Sequence, residues 1–356
     1  MNEIRRASRP VRVGRLTIGG TTPITVQTMT NTDTLDPTAT LAQTRALCAA
    51  GADIVRLAVP EVAAAATFTY LKEQGITAPL VADIHFDHHI ALAAIAAGAD
   101  KIRINPGNIG SRDKVGEVVR ACRAAGVPIR IGVNSGSLEK HILAKHGAPT
   151  AEALAESALY HARMLEEFDF YDTVLSVKAS TVREMIEANR ILAEKTDYPL
   201  HLGVTEAGGA HMGLVKSAVG IGACLADGIG DTIRVSLTAD PALEIKEARA
   251  ILSALGLNPK REMDIISCPT CGRTKIDLIP LLSEFEAALD QSGLRQKPLK
   301  VAFMGCVVNG PGEAREADIG IAGGIDEGIL FKKGEIVRRI PADRIVTELI
   351  EEIERM

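Results

Sequence analysis

The sequence predicts an α/β protein in which a (β/α)8 TIM barrel is followed by a smaller α+β domain. Two observations support this prediction. Between about residues 23 and 255, eight short β-branched runs alternate with Ala- and Leu-rich helical stretches. Around residues 257–261 that alternation ends, and shorter strand and helix patterns take over. We therefore expect a barrel over residues 1–257 and a second domain over residues 258–356.

Each predicted strand is a short apolar run that precedes a helical stretch. The first strand is not followed by a GxGxxG turn, which disfavours an open dinucleotide-binding sheet. The eight strands are PITVQTM from Pro23, ADIVRLAV from Ala52, LVADIHF from Leu80, KIRINP from Lys101, PIRIGVN from Pro128, TVLSVKA from Thr173, LHLGVTE from Leu200 and TIRVSLT from Thr232.

Polar residues occupy the second halves of these strands, although a strand buried on both faces should carry few charges. Because barrel active sites form at the carboxyl ends of the strands, we expect these side chains to meet at one mouth. Cations outnumber carboxylates there, which indicates a phosphorylated or diphosphate ligand. The residues are Arg56, Asp83, His85, Arg103, Asn105, Arg130, Asn134, Lys178, Glu206, Arg234 and Ser236.

The segment DIHFDHH could instead bind a divalent metal through Asp83, His85, Asp87, His88 and His89. The later strand ends offer Lys and Arg, which would repel a dication, so this interpretation is disfavoured. Asp83 and His85 fit better as proton-transfer or hydroxyl-orienting groups. His88 and His89 are expected to begin the next helix.

Three cysteines in the second domain, Cys268 and Cys271 in SCPTCGRTK and Cys306 in MGCVVNGPGEA, lie on Gly- and Pro-containing turns. Their thiolates could converge on one metal centre. An iron–sulfur cluster with one open or oxygen-ligated iron is favoured over zinc, because neither a second CxxC nor a later histidine pair is present. The other cysteines lie in Ala-rich helical patterns and are expected to be core residues: Cys48, Cys122 and Cys224.

Composition limits the class of protein. The chain has 356 residues, 46% hydrophobic and 24% charged, and a net charge of −5, which argues against general nucleic-acid binding. Aromatic residues make up only 3%, so stacking platforms for single strands are not expected. No apolar stretch is long enough to span a bilayer. We expect a cytoplasmic protein that binds neither membrane nor nucleic acid.

The motifs together resemble one family, the bacterial 4-hydroxy-3-methylbut-2-enyl diphosphate synthases, which are flavodoxin- or ferredoxin-dependent enzymes of the non-mevalonate isoprenoid pathway. The resemblance covers essentially the whole chain. The second domain is also similar to the cluster-binding half-domains of sulfite and nitrite reductases. The matching stretches are VQTMTNTDT, VRLAVP, VADIHFD, KIRINPGNIG, IRIGVNSGSL, SVKAS, GVTEAG, TIRVSLT, SCPTCGRT and GCVVNGPGEA.

This resemblance implies a role for each predicted site residue. Cys268, Cys271 and Cys306 would hold a [4Fe–4S] cluster, with Glu313 as the ligand of the fourth iron. Arg56, Asp83, His85 and Glu206 would face the reacting carbons and hydroxyls of the substrate, and Glu313 would share in catalysis. The residues that would bind the diphosphate of 2-C-methyl-D-erythritol 2,4-cyclodiphosphate are Arg103, Arg130, Asn134, Lys178, Arg234 and Ser236.

The implied reaction is a two-electron reductive ring opening and dehydroxylation that gives 4-hydroxy-3-methylbut-2-enyl diphosphate. Flavodoxin or ferredoxin would supply the electrons, and the enzyme would be a homodimer. Two alternatives remain open. A transferase barrel like dihydropteroate synthase would share the phosphate-binding mouth but would not need a cluster domain. A non-enzymatic metal-binding protein would leave the cationic mouth unexplained.

Overall fold

The computed structural model describes residues 5–179, 181–259, 262–307 and 315–356. It consists of two compact units, Met1–Asn258 and Pro259–Met356. The first unit is a parallel eight-stranded barrel and the second is a mixed five-stranded sheet with helices. The predicted barrel and the predicted smaller α+β domain are both confirmed.

The first unit begins with an antiparallel hairpin that the sequence analysis missed, and its eight barrel strands follow. All eight predicted strands are present, although the seventh and eighth are much shorter than predicted. The hairpin strands are β1 (Val11–Val13) and β2 (Leu16–Ile18), and the barrel strands are β3 (Thr25–Met29), β4 (Ile54–Ala58), β5 (Leu80–Asp83), β6 (Lys101–Ile104), β7 (Ile129–Asn134), β8 (Thr173–Lys178), β9 (His201–Leu202) and β10 (Thr232–Ile233).

The barrel strands are hydrogen-bonded in the order β8-β7-β6-β5-β4-β3-β10-β9, and every pairing is parallel. The ring closes between β8 and β9 through a single bridge, Leu175 with Leu200. In contrast, β7 and β8 pair over six residues. The seam between β8 and β9 is therefore the most lightly bonded line in the barrel.

Helices follow the barrel strands, as expected for this fold. Asp240 caps the last of them and its carboxylate accepts a hydrogen bond from the backbone N–H of Ala242 at 2.8 Å, as its position before Pro241 predicts. His88 is the first residue of its helix, also as predicted. The helices are Pro37–Ala49, Ala66–Glu73, His88–Ala96, Pro106–Ile109, Arg112–Ala125, Lys140–His146, Ala151–Glu166, Val182–Lys195, Ala210–Ala226 and Pro241–Ala254, with 3-10 turns at Val62–Ala65 and Ser135–Ser137.

Alternation along each strand separates the two faces of the barrel wall. On β7, Ile129, Ile131 and Val133 belong to the large apolar core between strands and helices. The intervening residues, beginning with Arg130, therefore face the interior. The same alternation on β6 turns Ile102 and Ile104 outward and leaves Lys101 and Arg103 inside.

The N-terminal hairpin closes one end of the barrel. Val13 and Ile18 pack with Ile54 and Val81 in a small buried cluster that is separate from the main core. Ile54 and Val81 lie near the amino ends of β4 and β5. The hairpin therefore covers the end of the barrel opposite to the mouth with apolar side chains.

The second unit contains β11 (Asp264–Ser267), β12 (Lys300–Met304), β13 (Ile319–Gly323), β14 (Glu327–Lys332) and β15 (Glu335–Pro341), hydrogen-bonded in that order. The first three are parallel to one another, and β14 and β15 are antiparallel. The helices Leu278–Ser292 and Ile345–Glu354 pack on the sheet, with Phe285 and Phe303 at 4.8 Å between ring centroids. The 3-10 turns are Leu294–Gln296 and Ala342–Arg344.

Glu352, on the last helix, generates a pH prediction for this unit. Its carboxylate accepts hydrogen bonds from Lys332 at 2.7 Å and from Arg338 at 2.8 Å, which lower its pKa to about 2. The stabilisation is complete above the ordinary glutamate pKa and is lost as the pH falls from about 4.5 towards 2. Glu352→Gln should therefore lower the free energy of unfolding by about 1–2 kcal/mol at pH 7.

Urea unfolding followed by circular dichroism checks this prediction. The difference between Glu352→Gln and the unsubstituted protein should shrink below pH ~4.5. Glu351→Gln is the matched control, because Glu351 has an exposed partner, Arg355, at 3.3 Å. A difference that is the same at pH 3 and pH 7 would contradict the assignment.

Candidate active site

Five cations predicted to share the barrel mouth do lie together inside the barrel. They belong to neighbouring strands or follow them directly, and Arg103 and Arg130 occupy opposed positions on β6 and β7. All five are buried or nearly so, and each faces the interior by the alternation of its strand. The five are Arg56, Arg103, Arg130, Lys178 and Arg234.

Asp83, at the end of β5, is the carboxylate that neighbours several of these cations. Its Oδ1 lies 3.3 Å from Arg103 Nη1, and its Oδ2 lies 3.8 Å from Arg56 Nε. Burial alone would raise the pKa of Asp83, but Arg56 and Arg103 outweigh burial and the pKa is lowered. Asp83 is therefore ionised at neutral pH and acts as an acceptor rather than an acid.

Arg234 is held by a second carboxylate, Glu244, that the sequence analysis did not single out. Arg234 Nε donates to Glu244 Oε2 at 3.3 Å, and the backbone N–H of Leu237 donates to Oε1 at 3.0 Å. Thr28 on β3 also donates to Glu244 Oε2, at 3.2 Å. The helix that follows the last strand thus fixes the orientation of the guanidinium.

Two N–H donors of Arg56 contact only a weak acceptor, the sulfur of Met29. Its Nε and Nη2 lie 3.0 and 2.9 Å from the Met29 sulfur, and a thioether accepts hydrogen bonds only weakly. Burial lowers the pKa of Arg56 to about 10, against the attraction of Asp83. The guanidinium remains charged at neutral pH and keeps hydrogen-bonding capacity for a ligand.

Arg130 is even less satisfied, and Lys178 lies buried beside it among further cations. Arg130 is 1% exposed, and its Nε and Nη1 have no hydrogen-bond partner within the described part of the chain. Burial, and after it repulsion by neighbouring arginines, lowers the pKa of both Arg130 and Lys178. A buried cation with unpartnered nitrogens beside further cations is costly, so this arrangement favours an anion between Arg130 and Lys178.

Two glycines make room for these long side chains. A Cβ at Gly132 would overlap the guanidinium of Arg103, and a Cβ at Gly203 would lie 2.8 Å from the Arg234 carbonyl oxygen and 2.9 Å from Lys178 Nζ. A larger residue would therefore displace Arg103 at the first position, and would displace Lys178 and the Arg234 backbone at the second. The glycines therefore help to define the shape of the anion site.

The remaining predicted residues lie around the edge of this cluster. Asn134 is opposed to Lys178 across β7 and β8. Ser236 is half-buried two residues after Arg234, and Glu206 is exposed with φ of 52°. Glu206 lies beside the end of β8, because the N–H of Thr205 donates to the carbonyl of Ala179 at 3.3 Å.

His85 stands at the outer side of Asp83, with Nε2 3.9 Å from Asp83 Oδ2 and 54% of its side chain exposed. It also lines a cavity of about 520 Å³ beside the mouth, so a ligand can reach it. The cavity lining consists of Val59, Pro60, Glu61, Val62, His85, Phe86, Asp87 and Ile90. This position suits proton transfer to or from a bound molecule.

Asp87, His88 and His89 have ligand atoms within 4.8 Å of one another, which fits a small metal ion geometrically. Asp87 is nevertheless used as a helix cap, and its Oδ1 accepts the backbone N–H of His89 at 2.9 Å. Asp87 also pairs with the His89 ring at 2.9 Å. These local contacts account for the cluster without a metal.

A buried hydrogen bond between His161 and Glu139, which the sequence analysis missed, supports two mouth loops. His161 is fully buried and its Nε2 lies 2.5 Å from Glu139 Oε1. Burial acts to raise the pKa of Glu139, but the hydrogen bond with His161 and its other polar surroundings outweigh burial, and the pKa is lowered. A Cβ at Gly107 would lie 3.0 Å from the His161 ring. The pair therefore joins the loops after β6 and β7 to the helix Ala151–Glu166.

In the second unit, the three predicted cluster ligands lie after two adjacent parallel strands. Cys268 follows β11, and Cys306 follows β12 by two residues. The backbone N–H of Gly305 donates to the Cys268 sulfur at 3.2 Å, and Lys275 donates its N–H to the Gly305 carbonyl at 2.8 Å. The CPTC loop and the Cys306 turn are therefore tied together. Glu313 lies outside the described residues.

The donor set fits an iron–sulfur cluster. Cys271 is exposed, and a hydrogen bond from the backbone N–H of Arg273 lowers the pKa of its thiol. Such hydrogen bonds favour the thiolate that metals bind. Cys122 and Cys224 are fully buried and burial raises the pKa of both, whereas Cys48 is half-buried against the core. The prediction that these three are packing residues agrees with their positions.

Comparison with protein families places both units. Residues 8–249 match the GcpE TIM-barrel domain, and residues 264–355 match the GcpE protein C-terminal domain. The chain belongs to the GcpE family.

Curated relatives of this GcpE chain are similar over nearly their whole length. A 4-hydroxy-3-methylbut-2-en-1-yl diphosphate synthase (flavodoxin) from Geobacillus kaustophilus is 57% identical, covering 100% of this chain and 94% of the relative. A protein of the same name from Clostridium perfringens is 56% identical, covering 98% of this chain and 99% of the relative. The family assignment thus rests on full-length similarity.

Two solved structures resemble about 70% of the chain. A type I 3-dehydroquinate dehydratase from Clostridium difficile has a TM-score of 0.52 at 15% identity and covers 70% of the chain and 98% of its own. A dihydropteroate synthase from Stenotrophomonas maltophilia has a TM-score of 0.51 at 16% identity and covers 71% of the chain and 100% of its own. At these identities the likeness establishes only a shared fold.

Gly132→Ala tests the steric argument for the mouth. The added methyl should push Arg103 out of position and weaken the binding of inorganic pyrophosphate by about 1.5–3 kcal/mol, or roughly ten- to hundredfold, as measured by calorimetry. Gly136→Ala, four residues on, is the control, because a Cβ there meets nothing within 4 Å. Unchanged affinity in Gly132→Ala would remove Arg103 from the anion site.

Serine substitutions test the cluster ligands. Replacing Cys268, Cys271 or Cys306 by Ser should abolish the iron content and the broad visible absorbance of anaerobically purified protein, because thiolates hold such clusters. Cys122→Ala and Cys224→Ala should retain both. Full iron occupancy in any of the three Ser variants would show that the replaced cysteine is not a ligand.

Proposed function

We propose that this GcpE protein is a 4-hydroxy-3-methylbut-2-enyl diphosphate synthase of isoprenoid biosynthesis. It converts 2-C-methyl-D-erythritol 2,4-cyclodiphosphate into 4-hydroxy-3-methylbut-2-enyl diphosphate by reductive ring opening and dehydroxylation. The observation that carries the proposal is the buried cationic cluster at the mouth of the barrel in a chain 57% identical to a curated synthase of that name.

The diphosphate is assigned to Arg103, Arg130, Lys178 and Arg234, with Asn134 and Ser236 as neutral donors. Guanidinium groups bind phosphate oxygens through paired hydrogen bonds, and the unpartnered nitrogens of Arg130 provide two donors. Ring opening leaves new negative charge on a phosphate oxygen. Fixed cations in a site shielded from water stabilise that charge as it develops.

The reaction consumes two electrons and the C3 oxygen leaves as water, with one net proton taken up when the linear product carries one more negative charge than the cyclic substrate. Proton delivery is assigned to His85 and Glu206, which are accessible from the mouth. Asp83 is not a good acid, because its lowered pKa keeps it ionised. We assign it the role of orienting Arg56, Arg103 and the substrate hydroxyls.

The second unit is assigned the [4Fe–4S] cluster, held by Cys268, Cys271 and Cys306 with Glu313 as fourth ligand. When bound, the cluster supplies low-potential electrons one at a time and a Lewis-acidic iron. The chain's own residues supply the hydrogen bond from Gly305 to the Cys268 sulfur, which restrains that ligand.

The proposed electron donor is flavodoxin, the protein named in parentheses for the curated relatives. A cytoplasmic homodimer completes the proposal. No described helix has the length and apolar character needed to cross a membrane. Sedimentation of the anaerobic holoenzyme measures the subunit number directly.

The alternative functions account for fewer of the observations. A transferase like dihydropteroate synthase shares the barrel fold, but the solved structure of such an enzyme covers only 71% of this chain. The cysteine-bearing unit would have no role in a transferase of this kind. If the protein only bound a metal and had no catalytic activity, nothing would explain why five cations are buried around the two carboxylates Asp83 and Glu244.

Anaerobic turnover tests the proposal. The holoenzyme with reduced flavodoxin should convert the cyclic diphosphate to the linear product, measured by chromatography. Lys178→Met should keep the cluster spectrum and lower kcat/KM by at least about tenfold, because each charged hydrogen bond is worth about 1.5–3 kcal/mol. Lys72→Met, at an exposed lysine paired with Asp100, should behave as the unsubstituted enzyme.

The outcomes separate the candidates. Absence of turnover in a protein that carries a full cluster would reject the synthase assignment. Wild-type kcat/KM in Lys178→Met would instead keep the activity and reject the position of the diphosphate.

A further inference from the structure

Three polar side chains lie inside the barrel below the cations of the mouth. Lys101 is two residues before Arg103 on β6, His201 two before Gly203 on β9, and Gln27 two before Met29 on β3. Strand alternation therefore turns all three towards the interior. We call Gln27, Lys101 and His201 the polar floor of the site.

The side chains of the polar floor are buried from solvent, and their polar atoms lack hydrogen-bond partners among the described residues. Lys101 and His201 are 0% exposed and Gln27 is 1% exposed. Lys101 Nζ, both ring nitrogens of His201 and both amide atoms of Gln27 lack hydrogen-bond partners within the described ranges. Branched aliphatic residues normally fill these layers of a barrel. A polar group buried without a partner is costly, so its presence calls for a compensating ligand or proton.

The charged neighbours that act most strongly on Lys101 and His201 are arginines and lysines. Arg130 on β7 and Arg56 on β4 face Lys101. Arg130, Lys178 on β8, Lys101 and Arg56 face His201. Burial, followed by repulsion from these cations, holds the pKa of Lys101 and of His201 well below the usual range. Without an anion, burial and these neighbouring cations therefore favour the neutral forms of both groups.

We propose that Lys101 and His201 are charge-compensating residues that take up protons from solvent when a diphosphate binds above them, and more so for the linear product than for the cyclic substrate. This inference rests on the proposed function. No bond in the ligand breaks in this step: the proton adds to Lys101 Nζ or to the His201 imidazole.

The reaction itself supplies the reason for such a reserve. A cyclic diphosphate carries about two negative charges, one on each phosphorus, whereas a linear diphosphate ester carries about three when its terminal group is fully ionised. The charge of the ligand thus increases during turnover, in an interior that excludes water. Fixed arginines cannot adjust to this change, but a neutral amine or imidazole beneath them can.

The linkage has a definite sign. The bound anion favours the charged forms, so it raises the pKa of Lys101 and His201, and protons are taken up on binding. Affinity for the anion should consequently fall as the pH rises. Lys101→Met and His201→Asn each remove one acceptor of protons and should flatten this dependence.

Calorimetry of inorganic pyrophosphate binding to the anaerobic holoenzyme provides the test. Titrations at one pH in buffers of different ionisation enthalpy give the number of protons taken up, and comparison between variants cancels the proton change of pyrophosphate itself. Lys101→Met and His201→Asn should each reduce that number by about half to one proton. Lys72→Met, an exposed lysine outside the barrel, is the control and should leave it unchanged.

Each outcome is decisive. A proton number equal to that of the unsubstituted enzyme in both variants, or no uptake by the unsubstituted enzyme on binding, overturns the inference and leaves the synthase assignment intact. Failure of the unsubstituted enzyme to bind pyrophosphate removes the diphosphate site and this inference with it. Since the two substitutions lie on different strands, a folding defect in one leaves the other as a complete test.

Discussion

The excess of positive charge inside the barrel is the constraint on which the rest of the site depends. Asp83 and Glu244 are the carboxylates that contact these cations, and both are ion-paired with arginines. Arg130, Lys178 and Lys101 remain without comparable compensation in the described structure. The fold tolerates this strain because an eight-stranded wall and its outer apolar core supply stability elsewhere. An anionic ligand relieves it, so binding energy is built into the unliganded state.

Much of the fold follows from local pattern. The eight barrel strands could be predicted because each is a short apolar run before a helix, and the cap at Asp240 because it precedes Pro241. The hairpin β1–β2 escaped prediction, since each strand has only three residues. Its apolar side chains gain their meaning only from packing against Ile54 and Val81, which is a contact between distant parts of the chain.

The residues of the site likewise fall into those that the sequence predicts and those that only the tertiary structure reveals. Strand position predicted Arg56, Asp83 and Arg103, because polar residues near the carboxyl ends of barrel strands converge. Lys101 and His201 were passed over, since they lie at the starts of their strands, where that argument does not reach. Glu244 lies on a helix, and its contact with Arg234 depends on how that helix folds back. Side-chain partners of this kind are set by tertiary geometry, which one sequence does not encode locally.

The single bridge between Leu175 and Leu200 has a mechanical consequence. A closed barrel is rigid where neighbouring strands share many hydrogen bonds, and compliant where they share few. Lys178 ends β8 on one side of this junction, and Arg234 directly follows β10, which pairs with β9 on the other side. A ligand bound by both Lys178 and Arg234 would bridge this weakly hydrogen-bonded junction. Ligand binding would therefore make the barrel more rigid. In the unliganded barrel, local opening should occur first between β8 and β9.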